Sequence, residues 1–128
     1  MNATAAAGVV AELRHQRREL RRELARVRWW RRLVSARRDL TLASLAVPDT
    51  IARDAGETAW HALAADAPTA LELNTAVWPD VHDVTAADLD ALDALDSRLD
   101  RYERRLSATL DTVTADMVQA LGRVHQGE

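Results

Sequence analysis

Residues 27–40 read VRWWRRLVSARRDL, and their side chains suit one kind of chemistry, the recognition of anions. Arg28, Arg31, Arg32 and Arg38 each carry a planar guanidinium whose N–H donors match the two oxygens of a carboxylate or phosphate. Trp29 and Trp30 stand among them. An indole ringed by guanidinium groups can stack on a base or anchor a protein interface. Metal chemistry has far less to work with. His61 and His82 are isolated, and Asp80, His82 and Asp83 lack helical ligand spacing, so a solvated loop is expected there and no metal site. The absence of cysteine excludes disulfides and cysteine-containing zinc sites.

The elements that position these arginines must be helices. At 128 residues the chain has the length of one domain, residues 1–128, and 48% of it is hydrophobic, enough for a core. With 4 Gly, 3 Pro, no Phe and abundant Ala and Leu, it lacks the turns and β-branched or aromatic runs of strands. No apolar run approaches the roughly 18 residues of a membrane span, and the N-terminal MNATAAAGVVAELRHQRREL turns charged too soon for a signal sequence. A cytoplasmic protein with no membrane partner is the expectation. The formal net charge of −3 conceals an asymmetry: residues 1–46 hold 11 Arg against four acids, whereas residues 47–128 hold 6 Arg against 16 acids. Such halves attract each other. Every one of the 17 cations is arginine.

Apolar residues Val10, Leu13, Leu20, Leu24, Val27, Val34 and Leu45 follow alternating three- and four-residue steps, the seam of a coiled coil over residues 9–46. Pro48 ends it, because proline cannot continue a helix and disfavours helical geometry at Val47. A second seam runs through Leu92, Leu99, Leu106, Leu110, Val113, Met117, Ala120 and Val124, in a helix over residues 85–123 opened by Thr85 and Asp88 at capping-box spacing. Residues 47–84 form a connector. Its stretch DTIARDAGETAWHALAA suggests a short helix, PTALELNTAVWPDVHDV reads as irregular or weakly helical, and Trp60, Leu63, Leu71, Leu73, Val77 and Trp78 could cover the end of the pair. The predicted fold is all-α, an antiparallel two-helix coiled-coil hairpin with one or two short connecting helices.

Extending the first rhythm through its gaps lands on Arg17, Arg31 and Arg38; extending the second lands on Asp96 and Glu103. Charges in a seam cost several kcal/mol each unless paired, so they either pair across the hairpin or reach along its flank to water. A register that joins Arg31 to Glu103 also joins Arg38 to Asp96, because both pairs of numbers sum to 134. Trp30, beside the seam, is expected to pack in the core. Trp29 points elsewhere, and with Arg28 and Arg32 it forms the expected partner-binding face.

VRWWRRLVSARRDL resembles the first signature helix of RsiG-type actinobacterial anti-sigma factors, helical hairpins that bind cyclic di-GMP and hold a flagellar-type sigma factor. Their signature, E-x3-S-x2-R-x3-Q-x3-D, occurs once on each of two antiparallel helices. Matched on arginine and aspartate, Arg31 and Asp39 take those places, with Ser35, Arg28 and Leu24 at the glutamine, serine and glutamate positions. The segment ERRLSATLDTVTADMVQALGR resembles the second helix. There Asp111 fits the final aspartate and Ser107 the glutamine place, while Glu103 stands where an arginine is expected. The resemblance covers about residues 23–46 and 96–123. It implies a regulator of transcription that binds a sigma factor or similar protein, with a degenerate nucleotide site of Arg28, Arg31, Ser35, Asp39, Ser107 and Asp111. Negative charge at Glu103 would repel phosphate, so cyclic di-GMP is expected to bind weakly or not at all, unless a homodimer supplies Arg31 and Asp39 twice.

Readings from other classes remain. An arginine-rich first helix among three resembles the all-helical chorismate mutases, but their dicarboxylate site also needs a lysine; none is present and no enzyme is expected. Nucleic-acid binding by the first helix draws on its arginines and tryptophans, against a pI of about 5.8. A helical scaffold or oligomerisation module is the remaining alternative.

Overall fold

The computed structural model describes residues 3–46, 62–78 and 84–127. Two long helices, α1 (Ala3–Leu45) and α3 (Ala86–Gln126), flank a short one, α2 (Ala70–Val77), and no strand occurs among the described residues. At 1.5 Å per residue, α1 and α3 are each roughly 60 Å long. They pack antiparallel: Val9 lies by Ala120 and Arg123 at one end, and Thr41 lies by Asp88 and Leu92 at the other. No helix among the described residues is long and apolar enough to cross a membrane.

Both long helices outrun the bounds read from sequence. α1 begins at Ala3 rather than residue 9, because Ala5, Ala6 and Ala7 are strong helix formers that carry the helix across Gly8. α3 continues to Gln126, where the Gly127 N–H donates to the Arg123 carbonyl at 3.0 Å and Arg123 and His125 lie in the negative end of the helix dipole. Its start is held by Thr85: the backbone N–H donates to the Asp88 carboxylate at 2.8 Å.

The three-four rhythm is observed through the charged positions as well as the apolar ones. On α1 the less exposed residues include Ala6, Val10, Leu13, Arg17, Leu20, Leu24, Val27, Arg31, Val34, Arg38 and Thr41, with Glu23 and Ser44 flanking them. On α3 they include Leu92, Asp96, Leu99, Glu103, Leu106, Leu110, Val113, Met117, Ala120 and Val124, with Asp100, Ser107, Thr114 and Leu121 flanking them. The best-buried cluster is Leu24, Val27 and Leu106, with Leu20, Leu99 and Leu110 against it. Thr41, not Leu45, closes the α1 seam: Thr41 is 2% exposed and Leu45 46%. A threonine fits there because its hydroxyl is satisfied within its own helix, donating to the Arg37 carbonyl at 2.8 Å.

Two expectations about packing fail. Trp30 is 53% exposed; a seam of 3.5-residue period passes through Val27 and Arg31 and leaves Trp30 on the outer flank. Among the described residues α2 does not cover the end of the pair: it packs on neither long helix, and Leu63, Leu71 and Val77 are exposed, with Leu73 and Trp78 half-buried. Trp60 lies outside the described residues. α2 lies in the stretch read as irregular or weakly helical, and Ala70–Val77 of it is helical. Thr69 caps it by accepting from the Glu72 N–H at 3.1 Å, and the Thr-x-x-Glu spacing was the signal for it.

Arg17 is the weak point of the seam. It enters no ion pair among the described residues, and its Nε is buried without a hydrogen-bond partner. Replacing Arg17 by Leu should therefore raise stability by about 1–2 kcal/mol, whereas Leu106→Ala should lower it by about 2–3 kcal/mol. Urea denaturation followed by circular dichroism measures both.

Candidate functional site

The arginine run of α1 reaches α3 at the half of the hairpin nearer the connector. Arg31, in the seam, is gripped by three carboxylates on successive turns. Its Nε donates to Asp96 Oδ1 at 3.1 Å and its second terminal nitrogen to Asp96 Oδ2 at 3.4 Å, a two-pronged contact. The remaining nitrogen donates to Asp100 at 3.2 Å and Glu103 at 3.3 Å. The Asp96 hydrogen bond raises the Arg31 pKa, desolvation opposes it, and the three carboxylate charges add to the rise. Arg31 is thus a permanent cation.

Around this centre the charges balance. Arg28 Nε lies 3.4 Å from Glu103, and Arg104 Nε 3.1 Å from Asp100. Arg38 pairs with Asp93, not with Asp96 as the 134 register would have it. Facing residues sum to about 130 rather than 134: Arg31 with Asp100 and Arg38 with Asp93 both sum to 131, and Arg31 meets Glu103 because its guanidinium spans more than one turn. The hydrogen bond that Arg38 donates to Asp93 is also what raises the Arg38 pKa most.

An open groove of about 440 Å³ lies on this flank, lined by Arg28, Arg31, Arg32, Val34, Ser35, Arg38, Asp96 and Glu103. Arg28, Arg31 and Ser35 of the sequence-predicted ligand set therefore come together, joined by Arg32 of the partner set. The others do not join them. Asp39 is exposed beyond the groove, Ser107 is half-buried farther down α3, and Asp111 is exposed farther still. On the observed register Asp111 faces about residue 19, twenty positions from Asp39, so a single hairpin holds these two aspartates roughly 30 Å apart. His61, Asp80, His82 and Asp83 lie outside the described residues, and among the described residues no three metal-capable side chains cluster.

The tryptophans lie outside the lining of this groove. Trp29 and Trp30 meet edge to face, ring centres 4.8 Å apart at 77°, and both are about half exposed. On the other flank the Tyr102 hydroxyl donates to Glu23 at 3.2 Å, and Arg105 lies 5.8 Å over the Tyr102 ring. Desolvation, then the Glu23 charge, raises the Tyr102 pKa. Asp93, Tyr102 and Glu23 are the residues that sequence reading missed, and Asp100, which the resemblance sets at the serine place of the second signature, serves instead as a partner of Arg31. Asp93 and Asp100 lie three and four residues from the seam acid Asp96, and that spacing was their signal.

No protein family, curated protein or solved structure matches the chain.

The carboxylates are partly exposed and all three meet Arg31, so removing one of them is not equivalent to removing the arginine. Each of Asp96→Ala, Asp100→Ala and Glu103→Ala should cost about 1 kcal/mol or less after solvent screening. Arg31→Ala should cost more, about 2 kcal/mol, because it leaves three carboxylates facing one another. Denaturation at low and high salt checks this; the Arg31 effect should shrink with salt.

Proposed function

We propose that this chain is a non-enzymatic, cytoplasmic regulatory protein that holds a protein partner through the connector-proximal half of α1, a flagellar-type sigma factor being the partner that the resemblance implies. The observation that carries the reading is the exposure of Trp29 and Trp30 beside Arg28 and Arg32. The hairpin's own packing does not use these rings, and aromatic rings next to arginine are the residues that dominate protein interfaces. Arg32 enters no ion pair among the described residues, and Arg28 has only the 3.4 Å contact, so both retain donors for an incoming carboxylate.

Affinity purification from the native organism, with identification of the retained molecules, supplies the partner. A sigma factor or similar regulator is expected; recovery of nucleic acid alone would replace this reading. With the purified partner, Trp29→Ala should weaken binding about tenfold or more with helicity unchanged. Unaltered affinity would reject this face.

A single hairpin should bind cyclic di-GMP weakly at best. Asp39 and Asp111 cannot meet on one ligand, and Asp96, Asp100 and Glu103 surround Arg31 with negative charge where phosphate would lie. Calorimetric titration should show no saturable heat in the micromolar range; a tight signal abolished by Arg31→Ala would show that the nucleotide displaces the acids.

A further inference from the structure

α1 changes the face on which it is apolar. From Val10 to Val27 the apolar residues lie toward α3, and the opposite face carries Glu12, His15, Glu19, Arg22 and Arg26. Beyond Val27 the seam itself takes Arg31, Arg38 and Thr41, while Trp29, Leu33, Ala36, Leu40 and Ala43 occupy the face turned away from α3. These five are spaced four, three, four and three residues apart, and all are exposed; Leu33 is 42% and Leu40 36% exposed. A second three-four stripe keeps one direction over four turns, the pattern that seats another helix. The described helix α2 does not lie on it.

We propose that a second copy of this chain covers the stripe, its α1 antiparallel to the first. The edges of the stripe specify this partner. Arg32 and Asp39 are seven residues apart and hold the same position on one edge, with opposite charge, and neither enters an ion pair among the described residues. In an antiparallel pair of helices, equivalent edges meet, so Arg32 of each copy faces Asp39 of the other and two-fold symmetry makes the contact twice. In a parallel pair this edge meets the opposite edge five residues on, and Arg32 would face Arg37, a repulsion. The antiparallel register that joins Arg32 to Asp39 also sets Leu33 against Ala36 and Trp29 against Leu40 of the second copy, and brings Trp30 beside its Arg37. The stripe is short, about 20 Å, and smaller than a standard interface, so dissociation in the micromolar range or above is expected.

The inference rests on reading this face as a protein-docking surface and names one occupant. Sedimentation equilibrium of the purified full chain, from about 1 to several hundred micromolar, should show a monomer–dimer equilibrium. Arg32→Asp and Asp39→Arg should each weaken dimerisation about tenfold or more, and the double charge swap should restore it. A chain that stays monomeric throughout, or a dimer indifferent to both single swaps, overturns the proposal. Far-ultraviolet circular dichroism of each variant confirms that the hairpin is intact. A monomeric chain that still binds a regulator through Trp29 sinks the self-association alone, whereas a charge-swappable dimer that retains no other protein sinks the proposed function alone.

Discussion

One guanidinium held by three carboxylates fixes the register on which the rest of the hairpin depends. Leucine seams tolerate slippage by a heptad, because a displaced Leu meets another Leu. Arg31 does not. A slip of seven residues one way leaves it beside Glu103 alone; the opposite slip leaves it Asp93 and Asp96 but moves Arg38 from Asp93 to the helix start at Ala86. Partly solvated ion pairs add little to stability individually, but a seam cation deprived of acids pays desolvation with no return. The cluster of Arg31, Asp96, Asp100 and Glu103 sets the register because each slipped pairing leaves Arg31 fewer acids than the three it has.

This division of labour splits the hairpin along its length. Away from the connector, Leu24, Val27 and Leu106 form a buried cluster, and Val10, Val113 and Ala120 continue the apolar burial along the stem. Nearer the connector the interface is polar, and Thr41 bonds to its own helix. Two helices that bury only one face each have little apolar area to spare, so giving half of that face to charge is a substantial concession. The apolar residues of that half of α1 lie instead on its outside. The fold is therefore a stem with an apolar interface, continued by a region whose α1 carries apolar residues on its outer face.

The three-four rhythm made the architecture legible, including the charged positions Arg17, Arg31, Arg38, Asp96 and Glu103 at its gaps. Register was less legible. Pairing charges by number favoured a sum of 134, since a point-to-point picture joins Arg31 to Glu103; the observed sum near 131 arises because a long arginine reaches acids on three successive turns. Trp30 was misplaced for a related reason. Hydrophobicity alone suggests the core, but a side chain one position before the seam points outward whatever its type. The connector was least legible, because its apolar residues carry no period that ties them to either long helix, and α2 rests on a local cap at Thr69.

The same charge cluster governs what can enter the groove. A phosphate approaching Arg31 must displace or face Asp96, Asp100 and Glu103, and at contact distance like charges repel by about 1 kcal/mol in water and several-fold more where solvent is excluded. At the rim the balance reverses: among the described residues Arg28 keeps one long contact and Arg32 enters no ion pair, and the exposed Trp29 stands between them in sequence. A ligand that places single carboxylates at the rim and an apolar ridge across Trp29 avoids the acids altogether. That description fits the surface of another helix better than it fits a compact polyanion, because a helix spaces its acids about 5–6 Å apart along one face, whereas a phosphate brings its whole charge to one point. The electrostatics that hold the hairpin in register therefore also select the class of molecule able to bind it.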